Sequence, residues 1–496
     1  MGEMNPLEPT ESIARPKRHI GTLEIAAVGY SICNSWSGIM ATFAFVVNQG
    51  GSPALLYGLV VVFVVYGCIA GTLSELASAY PSAGGQYHWT SILAPKRCAN
   101  FLSYLCGSLN VFAWIAITAG VTVIVPQILF AVLVHFDTSY IPKPWHVFLI
   151  YQAVNVVCLI HNIFALRKSM WVFNYFLALS LAGFFVATVT CVARAPRYQS
   201  DEAVWITFTD RSGWNNQGVA FLTGLLSPGY MYAGFDGAIH LADEAMNASV
   251  AVPRAMLSTW LIGFVSAFVL ATATMYSAQD FDLIAATPTG LPAFELLRQG
   301  MQSDAAATVI VLIIVVSAFA ATAGCQQTAS RLMWTFARDR GFICNHRFSR
   351  LNTRWQVPIW ALCINAAVVF VIGCLYLASS TAFNAFIGTG LVLQLLTFAF
   401  HAALLLVRKR SAEFLPPTRK FRLPSAVGWI ANFCTVGFAL VCFVFYDLPA
   451  VLPVEAGNMN YSIAVIGVMV VAILINWLIY ARIHYHGPDL EHLESF

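Results

Sequence analysis

Charge is absent from long stretches of this chain, and that absence constrains its fold more than any other feature. Between Glu24 and Glu75, and again between Arg354 and Arg408, fifty or more consecutive residues include no Asp, Glu, Lys or Arg. A membrane-spanning helix needs about 20 apolar residues to cross about 30 Å of hydrocarbon, so each stretch holds a helical hairpin. The shorter gaps Arg97–Asp137, Lys143–Arg167, Lys168–Arg194, Arg254–Asp280, Asp304–Arg331, Arg422–Asp447 and Glu455–Arg482 hold one span each. An apolar segment over about 218–242 adds another, which predicts about twelve transmembrane helices in an all-α polytopic protein. Composition agrees, with 59% hydrophobic and 10% charged residues, whereas soluble proteins carry about 25% charged residues. A net charge of +3 gives no reason to expect a nucleic acid partner.

Positive residues are retained on the cytoplasmic side of membranes, so their placement orients the chain. Of the 26 Lys and Arg, only Lys143, Arg194, Arg197, Arg211 and Arg298 fall on the outer side when the amino terminus is inside. Both termini are therefore expected in the cytoplasm, most simply at the plasma membrane. The sequence suggests a tail over 1–23, a permease domain over 24–482 and a second tail over 483–496. No cleavable signal peptide is visible among the first 23 residues, so the first span is expected to direct insertion itself. The twelve cysteines form no CxxC pair, lie mostly in apolar segments and read as small hydrophobes. Asn460-Tyr461-Ser462 is a glycosylation sequon on the expected outer side.

Two spans carry interruptions. The first contains Asn34-Ser35-Trp36-Ser37-Gly38, and the sixth contains Ser227-Pro228-Gly229-Tyr230-Met231-Tyr232-Ala233-Gly234-Phe235-Asp236-Gly237. Pro removes a backbone donor and Gly tolerates non-helical angles, so a membrane helix can unwind there if the freed groups line a cavity. The two segments open the two five-helix halves of the chain, and such paired interruptions point to a transporter with a central site. The competing explanation for the glycines is close helix packing.

Several segments resemble the fungal amino acid and choline permeases of the amino acid, polyamine and organocation superfamily. They are 34–39, the turn 48–52, Ser74 to Trp89, Gly234 to Glu244, Val252-Pro253-Arg254-Ala255, Ser330-Arg331 and Phe336 to Gly341. The resemblance covers nearly the whole chain, and within the group it is nearest the choline transporters, with GABA permeases next. It implies a five-plus-five inverted repeat like that of the bacterial leucine transporter. The first repeat would cover about 24–194, the second about 215–407, and two extra helices about 425–482. It also implies secondary active transport of a small nitrogenous solute, choline or an amino acid, with a proton as the expected coupling ion.

The substrate-binding candidates are Ser35, Trp36, Ser37, Gly38, Tyr230, Tyr232, Gly234, Phe235 and Asp236. The half-helix beginning at Ser35 offers free N–H groups to a carboxylate or hydroxyl oxygen. Aromatic rings at the breaks, with Trp114 on the third span, can hold a quaternary ammonium. Asp236 alone places a carboxylate well inside a span, which costs about 2.5–3.5 kcal/mol and marks a functional or partnered group. It meets a substrate ammonium, holds a proton, or caps the inner half of its helix. Glu75, Asp243 and Glu244 lie on the inner side with Arg331 and Arg338, as a charge latch or as static anchors. For coupling, Ser317 and Thr322 are hydroxyls on the eighth span, Lys168 lies at the edge of the fifth, and His161 and His240 are relay candidates. HExxH, GxSxG, phosphate loops and clustered metal ligands are missing from the sequence, so neither an enzyme nor a cofactor or metal site is expected. A permease-like nutrient receptor is the remaining rival.

Overall fold

The computed structural model describes residues 18–165, 170–343 and 345–488. Most of both expected tails, and Arg167 and Lys168, lie outside the described residues. Among the described residues, eleven helices are long and apolar enough to cross a membrane. In order they are Thr22–Asn48, Gly51–Ala79, Ala99–Phe136, Pro144–Phe164, Val172–Arg194, Ala248–Ser277, Asp304–Arg338, Ile359–Ala378, Ser380–Val407, Ser425–Phe445 and Ser462–His484. The twelfth crossing is the sixth in chain order, and it never forms one continuous helix. It runs as Gln217–Gly224, Leu226–Gly229, a 3₁₀ turn at Tyr230–Tyr232 and a 3₁₀ helix at Phe235–Glu244. Long apolar runs become helices here because the hydrocarbon phase offers no partner for backbone N–H and C=O groups.

Packing reveals the repeat. The second span packs most on the seventh, the third on the eighth and the fourth on the ninth, each half pairing with its counterpart. Phe63 stacks on Trp260 at 4.5 Å between the second and seventh. Amide side chains bind the fourth, eighth and ninth spans without using charge. Gln326 Nε2 donates to Asn155 Oδ1 at 2.8 Å, Asn162 Nδ2 to the Ala323 carbonyl at 3.0 Å and Asn155 Nδ2 to the Ala366 carbonyl at 3.0 Å. Such bonds persist because the alternative is an unsatisfied polar group in an apolar interior.

The connections have structure of their own. On the face away from the amino-terminal residues, Gln49–Gly50 pairs antiparallel with Thr209–Asp210, and the helices Phe281–Ala285 and Pro292–Met301 fold over the bundle. On the opposite face the motif after the second span forms a short helix, Gln86–Leu93. Arg408 pins its end by donating to the Leu93 and Ala94 carbonyls at 2.7 and 2.9 Å.

Candidate functional site

The first break is one residue wide. Asn34 adopts a left-handed conformation (φ 33°, ψ 59°) between Thr22–Cys33 and Ser35–Ala41, a geometry that Asn tolerates better than most residues. It is held from the fifth span, where Ser180 donates to Asn34 Oδ1 at 2.7 Å and accepts from Trp36 Nε1 at 2.9 Å. Ser35, Trp36 and Ser37 form the first turn of the new helix, whose backbone N–H groups have no partner within that helix.

The sixth span breaks at Ala233 and Gly234. Gly234 has φ 76°, which a residue with a side chain rarely adopts, and its N–H donates to Gln394 Oε1 at 3.2 Å. Below it the chain continues for ten residues as a 3₁₀ helix, unusually long for that form. The two breaks are tied together. Ser35 Oγ donates to the Met231 carbonyl at 2.7 Å, and Thr42 and Ser227 hydroxyls bond at 2.9 Å. Gly38 lies so close that an added Cβ would stand 3.1 Å from the Tyr230 carbonyl oxygen.

A cavity of about 690 Å³ starts at these breaks. Asn34, Ser37 and Gly38 line it from the first span, Tyr230 and Ala233 from the sixth, Gln127 from the third, Ala321 from the eighth and Asn384 from the tenth. It runs outward to the Thr289–Pro292 and Gly457–Asn460 loops, on the face away from the amino-terminal residues. Its described lining contains no Asp, Glu, Lys, Arg or His.

Of the sequence candidates, Ser37, Gly38 and Tyr230 line the cavity; Ser35, Trp36, Tyr232, Gly234, Phe235 and Asp236 are absent from its lining. Ser35 joins the breaks, and Trp36 is buried toward the fifth span. Tyr232 stacks on Tyr66 at 4.7 Å and donates to the Trp260 carbonyl at 2.6 Å, while Phe235 packs edge-on to both rings. Asp236 is fully buried. Its Oδ1 accepts from Gln394 Nε2 at 2.7 Å, and its Oδ2 accepts from Gln86 Nε2 at 2.5 Å and lies 3.1 Å from His240 Nε2. Asn34 belonged to the first interruption and Gln86 to the motif after the second span without being singled out as site residues, and Gln394 carried no sequence signal that set it apart from other polar residues in the spans.

The face on the side of the amino-terminal residues is closed by ion pairs. Glu244 accepts from Arg331 at 2.6 Å, and Asp243 lies 4.0 Å from Arg338 while accepting from the Ala83 N–H at 3.0 Å. Glu75 departs from the expected grouping with Arg331 and Arg338. Completely buried, it accepts from Arg410, Arg419 and the Leu423 N–H, and so fastens the second span to the connection before the eleventh. The side-chain nitrogen of Asn460 donates to the Tyr446 and Leu448 carbonyls at 2.8 and 3.3 Å, so the atom that would carry a glycan is engaged in holding a loop.

A cavity between two interrupted helices, within a bundle of repeated halves, defines an integral, multi-pass membrane transporter. The family model described as amino acid permease matches residues 20–471, and the chain belongs to that family. A choline transporter of Saccharomyces cerevisiae is 32% identical over 94% of this chain and 82% of its own length. The swainsonine transporter swnT of Arthroderma benhamiae is 31% identical over 95% and 92%, and amino-acid permease 2 of Neurospora crassa 27% identical over 95% and 86%. A manganese transporter of Eremococcus coleocola superposes with TM-score 0.56 at 14% identity over 95% of this chain and 97% of its own. That likeness establishes the five-plus-five inverted-repeat fold, with the last two spans outside the repeats.

Proposed function

We propose that the protein imports a small nitrogenous solute, choline or an amino acid, by proton-coupled alternating access across the plasma membrane, with both termini in the cytoplasm. The observation that carries this is the central cavity, open on one face while ion pairs, that of Arg331 and Glu244 buried, close the other. Glu244 and Asp243 belong to the sixth span and Arg331 and Arg338 to the eighth, so separating those spans would open the inner face and break both pairs. In this reading the present structure is the outward-facing state of a two-state equilibrium.

Choline is favoured by the cavity's chemistry. With no carboxylate in the lining, a quaternary ammonium would be held by ring faces, and Phe45, Phe130, Tyr230, Tyr376, Phe445 and Tyr446 all contribute to the wall. The names of the relatives, choline and swainsonine transporters and amino-acid permeases, are compatible with this class. The second reading, an amino acid or GABA permease, is supported by the helix start at Ser35 to Ser37, whose first-turn N–H groups suit a carboxylate. A panel of labelled choline, ethanolamine, GABA and amino acids, offered to permease-deficient yeast expressing the protein, discriminates these readings. Choline accumulation that stops with an uncoupler and survives sodium removal is expected. Saturable binding without accumulation of any solute would make the protein a receptor and overturn the proposal.

A further inference from the structure

The hydrogen bonds around Asp236 fix a proton count. His240 Nδ1 lies 2.7 Å from the Ala83 carbonyl oxygen, which can only accept, so Nδ1 carries a hydrogen. His240 Nε2 lies 3.1 Å from Asp236 Oδ2. A bare ring nitrogen and a bare carboxylate are both acceptors and cannot share that contact, so a second proton lies between them. The remaining partners have fixed orientations. Gly234 N–H donates to Gln394 Oε1, which turns the Gln394 amide nitrogen toward Asp236, and Asn110 donates to Gln86 Oε1 at 3.1 Å, which does the same for Gln86.

Both members of the pair are completely buried, and the described residues include no Lys or Arg paired with Asp236. The other titratable groups that face the carboxyl are Cys33 on the first span, Tyr66 on the second, Cys106 on the third, Cys325 on the eighth and His401 on the tenth. None of them is hydrogen bonded to it. The pair also spans a joint that must move. Asp236 and His240 belong to the inner half of the sixth span, whereas Ala83 and Gln86 lie at the start of the inner connecting helix.

We infer that Asp236 and His240 share one exchangeable proton, and that this proton is the ion carried inward with the solute. The inference rests on the transport reading and names the site of its coupling ion. While the inner face is closed, Ala83 and Gln86 complete the pair and keep water away. When the sixth span separates from that connection, the pair loses both partners, meets inner water and releases its proton there. The proton enters from outer water and leaves to inner water, so the cycle makes no other bond.

Two measurements test this. The first is ¹⁵N NMR of histidine-labelled protein in nanodiscs, with His240 assigned by difference against His240→Gln. A protonated Nδ1 is expected, and a neutral ring protonated at Nε2 alone would overturn the inference whether or not any solute is transported. The second uses vesicles containing a pH dye, labelled choline and a membrane potential clamped at zero. One proton per choline allows about tenfold accumulation per pH unit. Asp236→Asn and His240→Gln should lower that to about one while choline–choline exchange continues. Coupled proton entry at the wild-type level in both variants, or choline transport by the wild type without proton entry, would overturn the inference and leave transport itself standing. Failure of the wild type to carry any solute would instead refute the transport reading, and the NMR result would then decide the shared proton alone.

Discussion

Removing Arg331 tests whether the inner closure is a latch. Its guanidinium meets Glu244 at 2.6 Å with both side chains about nine-tenths buried, and the contact joins the sixth span to the eighth. Breaking a buried pair by deleting one partner costs about 3–5 kcal/mol. That cost falls on the closed-inside state, because opening would hydrate Glu244. If about 2 kcal/mol of it appears as a bias between the two states, their ratio moves about 30-fold toward the inward-facing form. The reporter is a cysteine at Asn384, an exposed residue of the cavity wall, labelled from outside by an impermeant maleimide. Subtracting the parent protein removes labelling of native cysteines. From equal populations in the parent, that shift takes the outward-facing fraction from about one half to about one thirtieth, so Arg331→Gln should slow labelling of Asn384→Cys about 15-fold, and Glu244→Gln should do likewise, with a non-additive double variant. Labelling at the parental rate in both single variants, with both still folded, would refute the latch.

Three further outcomes follow from the same geometry. Glu75→Gln leaves the Arg410 and Arg419 charges without their buried carboxylate; a loss of about 3–5 kcal/mol is expected, read as a lower melting temperature in detergent and faster proteolysis near 408–423. Gly38→Val pushes a branched side chain against the Tyr230 carbonyl and should abolish uptake and lower stability by about 1–3 kcal/mol, read as a lower melting temperature in detergent. Asp447, beyond the eleventh span, buries both carboxyl oxygens without a partner among the described residues, and burial raises its pKa to about 6. A raised carboxyl pKa means that the folded state binds the proton more tightly, so this contribution is present at about pH 4 and lost as pH rises to about 6. Asp447→Asn should therefore melt higher than wild type above that window and lose the advantage below it; a pH-independent difference in melts across the range would contradict the assignment.

The spans were legible because each charged residue that ends one is costly in hydrocarbon, and the charge gaps mark them directly. The sixth-span break was legible from Pro228, Gly229 and Gly234, residues that a continuous helix accommodates poorly. The first break was only approximately placed. Its irregular geometry is confined to Asn34, and the Ser180 side chain that supports it lies 146 positions away. The aromatic cluster was located but not aimed. In helices that are apolar all round, periodicity does not report which face meets the cavity, and the 3₁₀ path of Phe235–Glu244 rotates each side chain away from its α-helical azimuth. Phe235, at the head of that helix, packs on Tyr66, as does Tyr232 from the preceding turn, while Tyr230 at the start of that turn meets the cavity. Asp236 stood out as an isolated carboxylate, yet its environment depends on Gln86 and Gln394, about 150 residues away on either side. The partners of Glu75 were equally hidden, because Arg410 and Arg419 looked no different in sequence from Arg331 and Arg338.

On this proposal the charge-free cavity moves a solute across the membrane. Purified protein in sealed vesicles, given labelled choline outside and an inward proton gradient, tests it most directly. Accumulation above the outside concentration that collapses on adding an uncoupler is the predicted result. Saturable choline binding with no rise in the lumen, in wild-type protein shown to be folded and correctly inserted, would contradict it.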